Sequence, residues 1–360
     1  MTKSSAWFGK RVLITGHTGF KGTWLTLLLH RLGAVVAGYS DATPTVPSHF
    51  DLAKVDLCLA ADFRNDIRNE AALAAAFDSF APDIVFHLAA QPLVRTSLLS
   101  PVETYGVNVM GTVNCLEAIR RSSVRSAVIV TSDKVYADQN WAFGYRENDL
   151  IGGADPYSGS KACAELVVST YRQAYMLDGR ESAGVIASAR AGNVIGGGDF
   201  SVDRLVPDLV RAIETGQPLV LRYPSATRPW QHVLDPLLGY VRLADAMAAG
   251  ETADNAWNFG PPPSQVVSVG EFISRLSKIW GVEPPIEIAS LAQPKETHLL
   301  QVDSTKAAVG LGWQPVISFE RTLQLTAEWY RAYHDGQDMS VVSRRQVDEV
   351  LEGATASGRV

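Results

Sequence analysis

Arg11-Val12-Leu13-Ile14-Thr15-Gly16-His17-Thr18-Gly19-Phe20-Lys21-Gly22 reads in two halves. Arg11 to Thr15 is a short run rich in β-branched apolar residues, the pattern of a fully buried strand. It breaks at once into glycines at the first, fourth and seventh positions, and an apolar stretch of helical length, Gly22 to Leu32, follows. Strand, glycine turn and helix in that order let a backbone without Cβ atoms approach a pyrophosphate at a helix N-terminus, where amide donors and the helix dipole favour anions. The turn predicts a dinucleotide cradle formed by Gly16, Thr18, Gly19, Phe20, Lys21 and Gly22. The Lys21 side chain has three destinations open to it: an adenosine 2′-phosphate, the pyrophosphate, or solvent.

Outward from this turn, strands and helices alternate. Ala34 to Tyr39, Ile84 to Leu88, Ala127 to Thr131 and Gly184 to Ala189 read as further buried strands, and Glu103 to Arg121 and Tyr157 to Leu177 as long helices. The order predicts an α/β fold, a Rossmann-like doubly wound parallel sheet, with ligands at the carboxyl ends of its strands. At the second strand end Asp41 is placed either to bond an adenosine ribose, which favours NAD over NADP, or to sit solvated in a loop. Asp66 and Ile67, after a third strand, suit an adenine edge. Leu88, Ala89 and Ala90 end the fourth strand in small residues that let the chain pass beside the nicotinamide ribose. His87 reads as a strand histidine with a structural hydrogen bond. After Asn193 the pattern changes to a loop (Gly196 to Asp199), a helix (Pro207 to Thr215), a short strand (Leu219 to Arg222), a return strand (Ala256 to Gly260) and helices at Val269 to Trp280 and Phe319 to Tyr330. The expected division is a cofactor domain of residues 1–193 with about 230–262 interleaved, and a smaller mixed α/β C-terminal substrate lobe of 194–229 and 263–350. The polar tail from Glu349 to Val360 is expected to fray.

The bulk properties narrow the class. The chain has 360 residues, is 46% hydrophobic and carries a formal charge of −6 without a long block of one sign, which disfavours nucleic-acid and membrane-surface partners. No segment has the apolar length of a bilayer span, and the N-terminus lacks the apolar core of a signal peptide. Cys58, Cys115 and Cys163 match neither a disulfide framework nor a metal spacing, so a cytoplasmic protein without a metal site is expected.

Two runs carry chemistry. Ser132-Asp133-Lys134 follows an apolar strand, and Tyr157-Ser158-Gly159-Ser160-Lys161 places a phenol and an amine four apart on one helical face. An ammonium one turn from a phenol stabilises its phenolate, so Tyr157 is suited to accept a proton. A simple hydride transfer needs Ser132, Tyr157 and Lys161. Asp133 and Lys134 are surplus to it, and point to further proton transfers. The alternative for the adjacent pair is a surface ion pair after a strand.

These residues, with His87-Leu88-Ala89-Ala90-Gln91-Pro92 and Asn108-Val109-Met110-Gly111-Thr112, resemble the extended short-chain dehydrogenase/reductase family along nearly the whole chain. Within it, Thr131-Ser132-Asp133-Lys134, Gly144-Tyr145-Arg146-Glu147-Asn148-Asp149, Gly196-Gly197-Gly198-Asp199-Phe200 and Thr227-Arg228-Pro229-Trp230-Gln231-His232-Val233 resemble the CDP-glucose 4,6-dehydratases. The dTDP-glucose relatives carry Thr-Asp-Glu in place of Ser132-Asp133-Lys134. The resemblance implies NAD, a nucleotide-sugar substrate (CDP-glucose) and an internal redox cycle. Tyr157, beside Ser132, would take the proton of the 4-hydroxyl, and Lys161 would support the phenolate and bond the nicotinamide ribose. Asp133 would be the acid at the 6-hydroxyl and Lys134 the base at C5. Gln91, Asn193, Arg204 and Arg228 would face the nucleotide sugar. Asn108 would hold active-site backbone or water, or merely pack. It also implies a homodimer through the two long helices, with Val107, Leu116, Val167 and Val168 at the seam or in the core. A sugar-nucleotide 4-epimerase and a dehydratase for another nucleotide are the competing members. His232 and His298 have no expected role.

Overall fold

The computed structural model describes residues 5–176, 185–252, 254–289 and 300–356. Its frame is a seven-stranded, wholly parallel sheet: β1 (Arg11–Thr15), β2 (Val35–Ser40), β3 (Leu59–Arg64), β4 (Ile84–His87), β5 (Ser126–Val130), β6 (Val185–Ala191) and β7 (Ala256–Phe259). The spatial order is β7-β6-β5-β4-β1-β2-β3. Val12, Leu13 and Ile14 are wholly buried because both faces of the sheet are covered, which is why these strands read as continuous apolar runs. One face meets a core holding Leu13, Val85, Leu116, Ile129 and Val168, and the other a larger core that runs on into the second lobe.

The longer helices are α1 (Phe20–Arg31), α2 (Glu70–Phe80), α3 (Gly111–Arg120), α4 (Pro156–Tyr171), α5 (Leu205–Thr215), α6 (Leu234–Ala248), α7 (Val269–Trp280), α8 (Phe319–His334) and α9 (Met339–Ala356). The long helix expected from Glu103 to Arg121 is helical throughout, but a π turn at Gly106–Met110 joins Pro101–Tyr105 to α3. The Tyr157 to Leu177 helix begins at an Asp155 cap, whose carboxylate accepts from Ser158 N at 3.0 Å, with Pro156 in its first turn. It ends in a second π turn, Arg172–Met176. Leu177, Gly184 and His298 lie outside the described residues.

Beyond the sheet, Thr227–Pro229 pairs antiparallel with Val266–Ser268, and Leu219–Leu221 pairs parallel with Ile286–Ile288. Those short pairs and α5 wall one side of the cleft at the sheet's carboxyl edge. The tail does not fray at Glu349: α9 continues to Ala356, with Val347, Val350 and Ala354 buried. It packs along both α1 and α8, and His49 Nε2 meets Ser343 Oγ at 2.9 Å, so it touches elements of both expected domains.

Candidate active site

A cleft of about 1380 Å³ opens where the sheet edge faces the second lobe. Its floor is the glycine turn. Gly16 has φ +74°, and a Cβ there would lie 2.6 Å from Ala89 N. At Gly22 a Cβ would meet Gly16 O at 2.2 Å. The turn therefore lies flat against β4's end, and α1 begins without a side-chain cap. Among the described residues the backbone N–H groups of Phe20 and Lys21 take no backbone acceptor. Uncapped amides at the start of a twelve-residue helix, over a surface no Cβ obstructs, fit a dinucleotide pyrophosphate.

Around this floor, Thr18, Asp41, Asp66, Ile67, Leu88, Ala89 and Ala90 all line the cleft. Thr18 Oγ1 donates to Ala42 O at 2.8 Å, which fixes the β2 loop over the turn. Asp41 is exposed and accepts from Ala42 N at 2.7 Å. The Asp66 carboxylate is engaged by Arg68, from both its backbone N at 2.8 Å and its guanidinium, which holds the acid below the usual carboxylate range. His17 is fully buried: Gly38 gives it room, since a Cβ there would sit 2.3 Å from its ring. Its Nε2 stands 3.0 Å from Asp62 Oδ1, off the line of a hydrogen bond, and burial lowers its pKa to about 4. His87 Nδ1 shares a 2.7 Å hydrogen bond with Thr15 Oγ1 and Nε2 approaches Thr112 Oγ1 at 3.2 Å, so it braces β1 against β4 and α3. Burial lowers its pKa to about 3 and keeps it neutral.

The chemistry-bearing run sits at the end of β5. Ser132 caps a short turn, accepting from Lys134 N at 3.2 Å, and donates to Asp133 Oδ1 at 3.1 Å. Lys134 Nζ reaches the same Oδ1 at 3.2 Å. Asp133 is 1% exposed and its Oδ2 is buried without a hydrogen-bond partner, 2.7 Å from where a Cβ on Gly192 would be. A solvated surface pair would leave no such oxygen. Tyr157, almost buried, and Lys161 come from the first turns of α4. Lys161 Nζ donates to Val130 O at 3.1 Å, and burial lowers its pKa to about 8 while Glu165 opposes the shift.

Several assigned residues fall elsewhere than expected. Lys21 does not point to the adenosine end. Its ammonium lies 5.9 Å over the Tyr240 ring, among Asp133, Lys134, Lys161 and Arg204, and burial there lowers its pKa to about 7. Gln91 lines the cleft, with its side-chain amide bonded to Leu93 and to Thr104 Oγ1. Asn108 does not line the cleft: it accepts from Gln91 N at 2.8 Å and donates to Gln91 O and Ser160 Oγ, holding active-site backbone rather than substrate. Asn193, Arg204 and Arg228 do line it. Asn193 Oδ1 is buried without a partner, Arg204 leans on Asp199 at 3.3 Å, and Arg228 donates to Thr227 O at 2.8 Å. Leu116 and Val168 are core, and Val107 and Val167 pack against it, so none of the four forms an exposed seam. His232 is buried against Trp24.

Sequence reading missed Glu165 and Tyr240. Glu165 stands one helical turn beyond Lys161, a spacing that could have flagged it. Tyr240 comes from α6, and nothing in its neighbourhood announces a site.

A family profile described as GDP-mannose 4,6 dehydratase matches residues 13–326. CDP-glucose 4,6-dehydratase of Salmonella typhimurium is 43% identical over 359 residues, covering 99% of this chain and all of that protein. UDP-glucose 4-epimerase of Mycolicibacterium smegmatis is 28% identical, over 89% of this chain and 98% of that one. Among solved structures, MoeE5 in complex with UDP-glucose and NAD superposes with a TM-score of 0.76 at 25% identity, covering 90% of this chain and 99% of that chain. The parallel sheet, the glycine turn, the Tyr157/Lys161 helix and this extent of similarity agree, and the chain belongs to the GDP-mannose 4,6 dehydratase family of extended short-chain dehydrogenases/reductases.

Proposed function

We propose that this chain removes water from CDP-glucose to give CDP-4-keto-6-deoxyglucose, using and restoring NAD within each turnover. The observation that carries the reading is the buried acid and adjacent amine, Asp133 and Lys134, beside the hydroxyl, phenol and ammonium that hydride transfer alone requires. The whole-length similarity to the Salmonella typhimurium CDP-glucose dehydratase supports the cytidine nucleotide, and the NAD in the MoeE5 complex supports the cofactor. NAD held on the Gly16–Gly22 turn supplies a hydride acceptor and donor.

The protein's own residues handle the protons. Tyr157 accepts the proton of the 4-hydroxyl, directly or through Ser132, and the Lys161 ammonium stabilises the phenolate. The 4-ketone acidifies the C5 hydrogen, which Lys134 removes. Asp133 protonates the 6-hydroxyl, which leaves as water. Lys134 returns a proton to C5, and the proton released from O4 balances the one Asp133 spends. The 3.2 Å contact between Lys134 and Asp133 keeps the pair within reach of one another for this exchange. Asn193, Arg204 and Arg228 hold the diphosphate and nucleotide, arginine by its fork of donors.

The same reading takes the enzyme as a homodimer. Val102, Tyr105, Met110 and Leu166 are exposed apolar residues on the helices flanking the site, a grouping that suits a helix-to-helix contact. No helix of the described residues is long and apolar enough to cross a membrane, and three unpaired cysteines suit a reducing cytoplasm. Incubation with CDP-, dTDP-, UDP- and GDP-glucose, followed by mass measurement, tests the reading. Loss of water from CDP-glucose in preference to the others is expected; loss confined to another nucleotide contradicts it.

A further inference from the structure

Glu165 is buried on α4 and every side of its carboxylate is occupied. Thr131 Oγ1 donates to Oε1 at 2.5 Å, Ser188 Oγ to Oε2 at 2.7 Å, and Arg190 forks across both oxygens at 3.0 and 2.8 Å. Arg190, 2% exposed, also donates to Tyr136 OH at 2.8 Å and Glu147 O at 3.0 Å, and Tyr136 OH in turn donates to Asn258 Oδ1 at 2.7 Å. Such a network needs all its members, because a buried charge left without its partner is costly. Its position gives it a second role. Thr131 is the residue before Ser132, and Lys161, one turn before Glu165, holds the next residue back, Val130, at 3.1 Å. One face of α4 thus pins consecutive residues at the end of β5, from which the Ser132-Asp133-Lys134 turn departs.

We propose that Glu165 is a positioning residue for the proton-transfer machinery: its carboxylate fixes Thr131, and with it the Ser132-Asp133-Lys134 turn, against the helix bearing Tyr157 and Lys161, and presents the one negative charge that faces the Lys161 ammonium from its own helix. The role rests on the reaction proposed above. Lys21 on α1 and His87 at the end of β4 also interact with Lys161. His87 is neutral and Lys21 is a like charge, so neither supports the ammonium. Burial lowers the Lys161 pKa to about 8, and the charge of the Glu165 carboxylate opposes that shift.

Two readouts test this in the full-length protein. The first is NMR of nitrogen-labelled lysine side chains in wild type and Glu165→Gln, with the Lys161 signal identified by its loss in Lys161→Arg. The second is the pH profile of kcat on CDP-glucose in the NAD-loaded enzyme. In Glu165→Gln the Lys161 titration and the alkaline limb of kcat move down by about one pH unit, and kcat near neutrality falls roughly tenfold with KM changed less than about twofold. Ser188→Ala, which removes one hydrogen bond from the same carboxylate but no charge, leaves both curves in place. Glu165→Gln/Arg190→Met removes both buried charges together, so it keeps the fold if Glu165→Gln alone does not, and it shows the same shift. A folded Glu165 variant with wild-type titration and profile overturns the role, as does an equal shift in Ser188→Ala. A wild-type protein that dehydrates no nucleotide sugar refutes the proposed reaction, and the NMR titration then still decides the electrostatic part.

Discussion

Asp133 Oδ2 is buried beside Gly192 without a partner, while Lys134 and Ser132 share the other oxygen. An epimerase, which moves a hydride out and back at one carbon, uses neither the acid nor the amine. Asp133→Asn and Lys134→Met are therefore expected to lower dehydration turnover by about 10²- to 10³-fold, measured as 4-keto product, whereas near-normal rates in both would fit an epimerase. Lys21 makes a different prediction. Its folded pKa lies near 7 against an ordinary 10.5, so the folded state disfavours its charged form. The unfolded chain binds more protons at Lys21 between those values: the penalty is full below about pH 7 and relieved as pH rises toward 10.5. Lys21→Met should stabilise the protein by about 1 kcal/mol at pH 6 in denaturant titrations, with the gain vanishing near pH 10, and should weaken nucleotide-sugar binding several-fold. A destabilised variant at pH 6 would place the amine in a satisfied ion pair instead. Neither Lys21's direction nor the commitments of Gln91 and Asn108 were legible in sequence, because a side chain's target depends on which distant element closes over it: Tyr240 for the first, and the Gln91–Leu93 loop and Ser160 for the others.

Elements were far more legible where their own residues dictate them. β1 matches its expected span, since Val12-Leu13-Ile14 must be buried on both sides and Gly16 must turn. α7 likewise matches Val269 to Trp280, with Ser268 capping it through Glu271 N and Gly281 ending it at φ +84°. α6 carries no clear signal in the sequence, for a physical reason. It has no side-chain cap, carries Pro236 in its first turns, and buries residues around most of its circumference, so no polar face marks its period. The end of α9, from Glu349 on, reads in sequence as a small, polar tail that frays, yet Val350 and Ala354 are buried in the larger core. At the glycine turn the prediction is steric. Gly22→Ala puts a Cβ against Gly16 O and His17 Cα, and should cost about 1–3 kcal/mol and abolish NAD binding by calorimetry. Wild-type affinity in that variant would mean that the cofactor does not use this turn.

At the scale of the molecule, one continuous core runs from the sheet into the second lobe. The proposed homodimer would rest on residues other than those the family resemblance suggested: Leu116 and Val168 are consumed by the core, and Val102 and Leu166 remain outside. Val102→Glu/Leu166→Glu should convert a dimer into a monomer in sedimentation velocity, and a wild-type protein that sediments only as a monomer would remove the homodimer from the account. The central claim is that one hydride leaves C4 of the hexose and returns at C6 while an oxygen departs. CDP-glucose carrying deuterium at C4 tests it most directly. The account predicts deuterium in the methyl group of the 4-keto-6-deoxy product, and a product methyl group free of the label would contradict it.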